Sequence, residues 1–196
     1  MTVAKPRFST FEAYLTYDDG TDNRYELMNG ELVELPPFAE PNSAIATFLL
    51  VALMNAGVSL RLIKPYTCEI QVPVIQTGDT QNRYPDLVVL REQHLALTQK
   101  RLTITLDMPP PRLIIEVVSP GKTNRDRDYT RKRAQYCEIG VSEYWIVDPE
   151  QQTVLVLELQ NNQYAEVGRF KSSDQIVSPH FSSLKLTPEE IFAVAQ

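Results

Sequence analysis

The chain of 196 residues is long enough for one domain with a substantial core, and two domains would be cramped in it. Hydrophobic residues make up 43% and charged residues 22%, as is ordinary for a globular protein. The net charge of −6 excludes a global basic field, so any surface for nucleic acid must be local.

The cysteines and the apolar segments bear on the cellular compartment in which the protein is expected. Cys68 and Cys137 match no metal-ligand spacing, which favours two buried free thiols in a reducing environment. The most apolar helical stretch, residues 44–57, is shorter than the roughly 20 residues that span a bilayer. Residues 1–15 contain no hydrophobic signal core. We therefore expect a cytoplasmic protein with no membrane contact.

The first part of the chain predicts a helix, a hairpin and a second helix. Ser9 and Thr10 are candidate caps of a short first helix. In "RYELMNGELVEL", Asn29 and Gly30 suit a two-residue type I′ turn between two strands. Residues 44–54 are apolar nearly all round, which predicts a deeply packed helix.

The rest of the chain predicts a sheet with further helices. The segments "SLRLIKPYTCEIQVPVIQ" and "RYPDLVVL" indicate strands, and Pro85 stands at the start of the second. Residues 92–110 then form a long connection with a short strand in "RLTITL". After the apolar run around Glu116, "NRDRDYTRKRAQYCEIG" predicts a helix, and "EYWIVDP", "TVLVLEL" and "QYAEVGRF" predict a meander. "LTPEEIFAV" predicts a closing helix with Thr187 as its N-cap. The pattern predicts one α/β (α+β) domain over residues 1–196, with a mixed central sheet flanked by helices.

Two acidic residues lie next to, or inside, apolar strands. Glu116 stands in the middle of "RLIIEVVSP", where an ionised side chain costs several kcal/mol unless it is paired or bound to a metal. Asp86 stands at the head of "DLVVL", where a strand begins. Two strands that each present one acid can place both carboxylates side by side, and Mg²⁺ prefers such oxygen ligands. We expect these carboxylates to be unneutralised, and to repel each other, in the metal-free protein.

A lysine on the next helix completes a possible site. Helix spacing puts Asp128, Lys132 and Tyr136 on one face, which the preceding Glu116 strand can bring towards the acids. Each residue also has a structural interpretation. Asp86 can cap a turn, Glu116 can pair with an arginine in the core, and Asp128 can form a helix salt bridge with Lys132. Only the ordered set of Asp, Glu and Lys on strand, strand and helix favours a site.

The segments "YPD", "EVVSP" and "DYTRKRAQYCEIGVSEYWIVDP", in this order, resemble the Uma-two family within the PD-(D/E)xK nuclease superfamily. The resemblance implies a restriction-endonuclease-like fold. Pro85 and Asp86 match the "PD" of the nuclease signature, and Glu116 matches its "(D/E)". Val118 occupies the place of the expected lysine, and Lys132 matches the lysine that in this family has moved to the following helix.

The resemblance implies a Mg²⁺- or Mn²⁺-dependent DNA endonuclease that cuts phosphodiesters by the attack of water. Asp86 and Glu116 would bind the metal, and Lys132 would orient water or stabilise the transition state. A homodimer is the default expectation, because two DNA strands need two sites.

Two further positions bear on activity. Asn42 stands where members of the family often carry histidine, and an amide cannot take up a proton at neutral pH as imidazole does. Glu26 matches a glutamate of the family's first hairpin. It is either a further acid near the metal or an exposed strand residue opposite Val33.

Two other functions fit the same residues. The first is a DNA-binding or scaffold protein that kept the fold and lost the chemistry, which Asn42, Val118 and the acidic net charge favour. The second is a hydrolase of another phosphate ester, since fold does not fix function. A basic cluster in residues 122–133 predicts either phosphate contacts or a solvated helix face, and comprises Lys122, Arg125, Arg127, Arg131, Lys132 and Arg133. Tyr144 and Trp145 are expected in the core rather than stacked on bases.

Overall fold

A short helix and a hairpin open the computed structural model of the protein, which describes residues 6–196. These elements are α1 (Phe11–Leu15), β1 (Tyr25–Met28) and β2 (Glu31–Glu34). Thr10 Oγ1 caps α1, as predicted. Asn29 and Gly30 have φ angles of 52° and 82°, the positive values that a type I′ turn requires. The predicted hairpin is confirmed.

The remaining helices and strands alternate along the chain. They are α2 (Glu40–Asn55), β3 (Ile63–Pro65), β4 (Glu69–Gln71), β5 (Asn82–Arg83), β6 (Leu87–Val89), α3 (His94–Leu97), β7 (Thr103–Ile104) and β8 (Leu113–Val117). These are followed by α4 (Lys122–Asp126), a π-helical segment (Arg127–Lys132), α5 (Arg133–Glu138), β9 (Glu143–Asp148), β10 (Thr153–Gln160), β11 (Gln163–Lys171) and α6 (Pro188–Ala193).

The described residues form a central mixed sheet of six strands in the order β11-β10-β9-β8-β6-β3. Its neighbouring strands are antiparallel except β8 and β9, which run parallel. A parallel pair needs a crossover connection, and residues 122–138 supply it as one nearly continuous helix. A separate sheet contains β5, β4 and β7. The predicted mixed sheet flanked by helices is confirmed.

Two apolar cores lie on opposite faces of the central sheet. One packs α2 and α6 against the face that carries Leu113, Ile115 and Trp145. The other packs α5 against the face that carries Ile114 and Tyr144. Because side chains alternate along a strand, Glu116 lies on the face of Ile114, beneath the crossover helix. Tyr144 and Trp145 are fully buried, which confirms them as core residues.

Three local predictions are wrong. Helix α2 begins at Glu40 rather than at residue 44, because Pro41 is tolerated in a first helical turn. It is also not buried all round, since Val51 is 47% exposed. Cys68 is buried as expected, but the free thiol of Cys137 is only half-buried.

Two expectations from the sequence concern the whole chain. Within residues 6–196, no helix is long and apolar enough to cross a membrane. The predicted domain and the N-terminal stretch without a signal core both include residues 1–5, which lie outside the described part of the chain.

Candidate active site

The register of β6 and β8 brings the two predicted acids together. Leu87 pairs with Ile115 in this antiparallel ladder, so the next position places Asp86 opposite Glu116. Residues directly opposite on neighbouring strands have Cβ atoms about 4.5–5.5 Å apart and share one face of the sheet. Both carboxylates line the same cavity.

Glu116 is buried, and each of its carboxylate oxygens has one partner. Its Oε2 lies 2.7 Å from Lys132 Nζ, and its Oε1 accepts a hydrogen bond of 2.6 Å from the Tyr136 hydroxyl. Burial raises the pKa of Glu116 above its ordinary value, although the Lys132 ammonium opposes this rise. The expectation that both carboxylates are unneutralised is therefore wrong for Glu116, and its partner is a lysine rather than the arginine of the structural interpretation.

Asp86 is hydrogen-bonded through one of its two carboxylate oxygens. Its Oδ2 accepts a hydrogen bond of 2.6 Å from the backbone N–H of Val117, across the ladder, so Asp86 does not simply cap a local turn. Its Oδ1 accepts no hydrogen bond from the described part of the chain. Burial and, next, the charge of Glu116 raise the pKa of Asp86 to about 8. One carboxylate oxygen of the site is thus left for a ligand.

The helix brings Lys132 to the acids. Its Nζ lies between Glu116 and Asp128, at 2.7 Å and 2.9 Å, and the side chain is only 8% exposed. The carboxylates of Asp128 and Glu116 raise its pKa, although burial alone would lower it. The adjacent Arg131 and Arg133 point elsewhere, to Asp79 and to the backbone carbonyl of Tyr164. The π-helical segment ends at Lys132, and such wider turns occur often at functional sites.

Val118, which stands where the nuclease signature has lysine, is buried in the apolar core beside Ile114 and Tyr136. Positions 116 and 118 are two apart along the strand, so their side chains lie on the same face of the sheet. The ammonium of Lys132 contacts the Glu116 carboxylate from the helix that packs on this face. The geometry therefore brings a lysine to Glu116 without one at position 118, and the catalytic role of Lys132 stays a prediction.

Glu26 and Asn42 lie on the rim of the same cavity. Glu26 pairs with Val33 in the hairpin, but it accepts a hydrogen bond of 3.0 Å from Arg83 and its side chain is 14% exposed. The interpretation of Glu26 as an exposed strand residue is therefore wrong. Asn42 is buried, and its side-chain amide donates to the backbone carbonyl of Val117 at 3.2 Å.

The cavity between these groups is small, about 120 Å³. Since a water molecule takes up about 30 Å³ in the liquid, this space holds about four waters. Its polar lining includes Arg24, Glu26, Asn42, Asp86, Glu116 and Lys132. Within residues 6–196, no group of three or more His, Cys, Asp or Glu side chains is arranged to hold a metal ion. A cation here would have two carboxylates and would complete its shell with water, backbone or substrate oxygens, which suits Mg²⁺.

The predicted basic cluster is largely neutralised. Arg125 pairs with Asp148 and Glu150, and Arg131 pairs with Asp79. These arginines connect the crossover helix to the end of β9 and to neighbouring loops, so their charges are not available as a row of phosphate contacts. Arg24 carries no sequence signal of a site, because an arginine just before a strand is commonplace.

Comparisons with known proteins agree with this architecture. A family model named Uma2 and described as "Putative restriction endonuclease" matches residues 11–189. The structure is similar to the crystal structure of "a putative nuclease belonging to DUF820" from Anabaena variabilis, with 19% sequence identity and a TM-score of 0.67. The match covers 95% of this chain and 99% of that chain, and it shows a shared fold. No curated protein matches the sequence.

Proposed function

Since the chain belongs to the Uma2 family of restriction-endonuclease-like proteins, we propose that it is a metal-dependent endonuclease that hydrolyses phosphodiester bonds of DNA. The observation that carries the proposal is the convergence of Asp86, Glu116 and Lys132 on one small polar cavity. Two acids and a lysine from two strands and a helix have little reason to share a cavity in a scaffold with no chemistry, because each buried charge is costly.

Asp86 and Glu116 would hold the metal ion, Mg²⁺ or Mn²⁺. When bound, such an ion polarises a phosphoryl group and lowers the pKa of an attacking water. The free Oδ1 of Asp86 is the oxygen that is open to a cation, while the N–H of Val117 fixes Oδ2. Glu116 still has unused lone pairs beside its two donors, because each carboxylate oxygen can accept more than one bond.

Lys132 would act on the substrate rather than on the metal. Its ammonium lies 2.9 Å from Asp128, and its raised pKa keeps it charged at neutral pH. A fixed cation beside the reacting phosphate stabilises the negative charge that develops there and can orient the attacking water. The small cavity admits a phosphate and a few waters, whereas pockets for drug-sized ligands are about 300–1,000 Å³.

The decisive experiment is a cleavage assay with supercoiled plasmid in Mg²⁺ or Mn²⁺. We expect nicking or cutting by the wild type, none in EDTA and none with Asp86→Asn. Asp86 is a cleaner test than Glu116, because Glu116→Gln also breaks the ion pair with Lys132.

Asp148→Asn is the matched control. Asp148 is a fully buried acid on the neighbouring strand β9, but it is paired with Arg125 and accepts a hydrogen bond from Tyr129. Its loss should lower stability and leave the cleavage rate per folded molecule unchanged. No cutting of single-stranded, duplex or supercoiled DNA would favour the scaffold alternative, and cleavage of other phosphate esters alone would favour the second alternative.

The proposal includes a homodimer, because each chain carries one such site and cutting both strands takes two. Light scattering coupled to gel filtration measures the mass in solution. A monomer that only nicks plasmid would contradict this part and leave the chemistry intact.

A further inference from the structure

Arg24 brings to the cavity a cation that forms no ion pair with any residue of the range 6–196. The other cations on its lining, Lys132 and Arg127, are both paired with Asp128. No carboxylate oxygen of residues 6–196 lies within 4 Å of the Arg24 guanidinium. Its hydrogen bond is a long one, 3.4 Å, from Nη1 to the backbone carbonyl of Tyr66. A guanidinium has five N–H donors, so most of those on Arg24 have no acceptor in the described part of the chain.

Aromatic rings hold this guanidinium in place. Its central carbon lies 4.0 Å from the centroid of the Phe38 ring and 5.8 Å from that of Tyr84. Phe38 in turn packs against Tyr66, with ring centroids 3.8 Å apart. Cations within about 6 Å of a ring centroid are attracted to its face, so the rings fix the plane of the guanidinium without neutralising its charge. The N–H groups at its edge stay available.

The chemistry of such a group selects an oxyanion. A planar guanidinium donates two parallel hydrogen bonds to phosphate or carboxylate oxygens. The cavity that Arg24 shares with Asp86 and Glu116 is too small for a nucleobase with its sugar but has room for a phosphate. Stacking against Phe38 also explains how Arg24 can stand on the same cavity as Asp86 without collapsing onto it.

We propose that Arg24 binds the non-bridging oxygens of a backbone phosphate of the nucleic acid and so positions the strand over Asp86 and Glu116. This inference rests on the proposed function. It makes Phe38 a positioning residue, which acts by holding Arg24 in its plane. It also identifies the phosphate backbone, rather than a base, as the part of the substrate that the cavity takes.

The test measures the binding of a fluorescein-labelled duplex by anisotropy in EDTA, in an Asp86→Asn background that cannot cut. Arg24→Met keeps the length and apolar character of the side chain and removes its charge. We expect this variant to bind about ten- to hundred-fold more weakly, as for the loss of a hydrogen-bonded charge. The slope of log K against log salt should become shallower by about 0.9, the loss of one phosphate contact. Arg24→Lys should restore the slope but only part of the affinity, because an ammonium cannot donate the same planar pair of bonds.

Arg112→Met is the matched control. Arg112 also stacks on a ring, with its guanidinium carbon 4.8 Å from the centroid of Phe181, but it precedes β8. It lies four positions before Glu116 along the strand, a distance of about 13 Å. We expect less than a twofold change in affinity and an unchanged salt slope. Phe38→Leu keeps the charge of Arg24 and should weaken binding less than Arg24→Met does.

The outcomes separate the two proposals. Suppose that the Asp86→Asn protein binds DNA and that Arg24→Met lowers its affinity no more than Arg112→Met does. The role of Arg24 is then overturned, and the proposed function stands. An Arg24→Met variant with a lower melting temperature and an unchanged salt slope would overturn it too, since the salt slope reports phosphate contacts and a purely structural role would not change it. If the parent protein binds neither duplex nor single strand, the inference about Arg24 is overturned, and the cleavage assay with Mg²⁺ separately decides the proposed function.

Discussion

Lys132→Met tests whether the lysine is the counter-charge of the site. In the wild type, Lys132 Nζ is 2.7 Å from Glu116 and 2.9 Å from Asp128, and these carboxyl side chains are at most 2% exposed. Methionine fills similar space and removes the cation. Breaking a buried ion pair from one side costs about 3–5 kcal/mol, because it leaves an uncompensated charge out of reach of water. Arg127, 3.4 Å from Asp128, still compensates that acid in part, so the loss falls mainly on Glu116.

The loss should depend on pH. Burial raises the pKa of Glu116, and the variant lacks the ammonium that opposes this, so the folded variant binds a proton more tightly than the unfolded chain does. Folding that takes up a proton becomes less favourable as the pH rises. The difference in stability between wild type and variant should therefore be greatest above the folded pKa of Glu116 and shrink as the pH falls towards about 4, the ordinary pKa of glutamate.

Thermal unfolding followed by circular dichroism measures the effect. At about 2–4 °C per kcal/mol for a chain of this size, 3–5 kcal/mol lowers the melting temperature by about 6–20 °C near neutral pH. Lys122→Met is the control, because Lys122 is exposed at the start of α4 and its loss should change stability by less than about 0.5 kcal/mol. A Lys132→Met protein that melts like the wild type near neutral pH, or whose deficit is the same at low pH, would refute the ion-pair reasoning.

Three further predictions concern the acids. Near pH 4, where Asp86 is protonated, Asp86→Asn keeps an acceptor for the Val117 N–H and should change stability by less than about 1 kcal/mol. Asp86 has a pKa of about 8 in the folded protein, so the free energy of unfolding of the wild type should fall between about pH 4 and about pH 8, whereas that of the variant should not. Thermal unfolding at both ends of this range measures the increasing difference in favour of the variant. Mn²⁺ at about 100 times its Kd should stabilise the wild type by about 2.7 kcal/mol and leave Asp86→Asn unchanged in a thermal-shift titration, and equal shifts would contradict a site at Asp86. Tyr136→Phe removes a buried donor from Glu116 Oε1 and should cost about 1–3 kcal/mol in urea unfolding, and a neutral result would contradict that hydrogen bond.

The apolar pattern predicted most of the fold. The hairpin, the buried strand around Glu116, the meander and the capped closing helix all follow from periodicity and turn chemistry that act over a few residues. The start of α2 was misplaced because proline and asparagine resemble a loop in sequence, although proline is tolerated in a first helical turn. The short α3 was missed because one helical turn has too little periodicity to be recognised.

The part of the site that could be predicted consists of charged residues in apolar sequence, where burial and charge conflict. Asp86 and Glu116 were found as acids in or beside apolar strands, and the spacing of Lys132 placed it on the right helix face. The π-helical segment could not be predicted, because it meets the sheet through contacts distant in sequence, the Lys132–Glu116 ion pair and the hydrogen bond from the Tyr144 hydroxyl to the Asp128 carbonyl. Arg24 was missed because its role depends on Phe38 and Tyr84, which are distant in sequence and meet it only in the folded chain.

The crossover between the parallel strands links the assembly of the site to the cooperativity of folding. Glu116 enters the core in β8, but its cation arrives on residues 122–138, which connect β8 to its parallel partner β9. A sheet that formed ahead of the helix would enclose a carboxylate without a counter-ion, and that species is unstable by several kcal/mol. Sheet and helix therefore belong to one unit that opens and closes together. The residues proposed for chemistry thus also destabilise the half-folded forms of this chain, in which an unpaired strand edge invites aggregation.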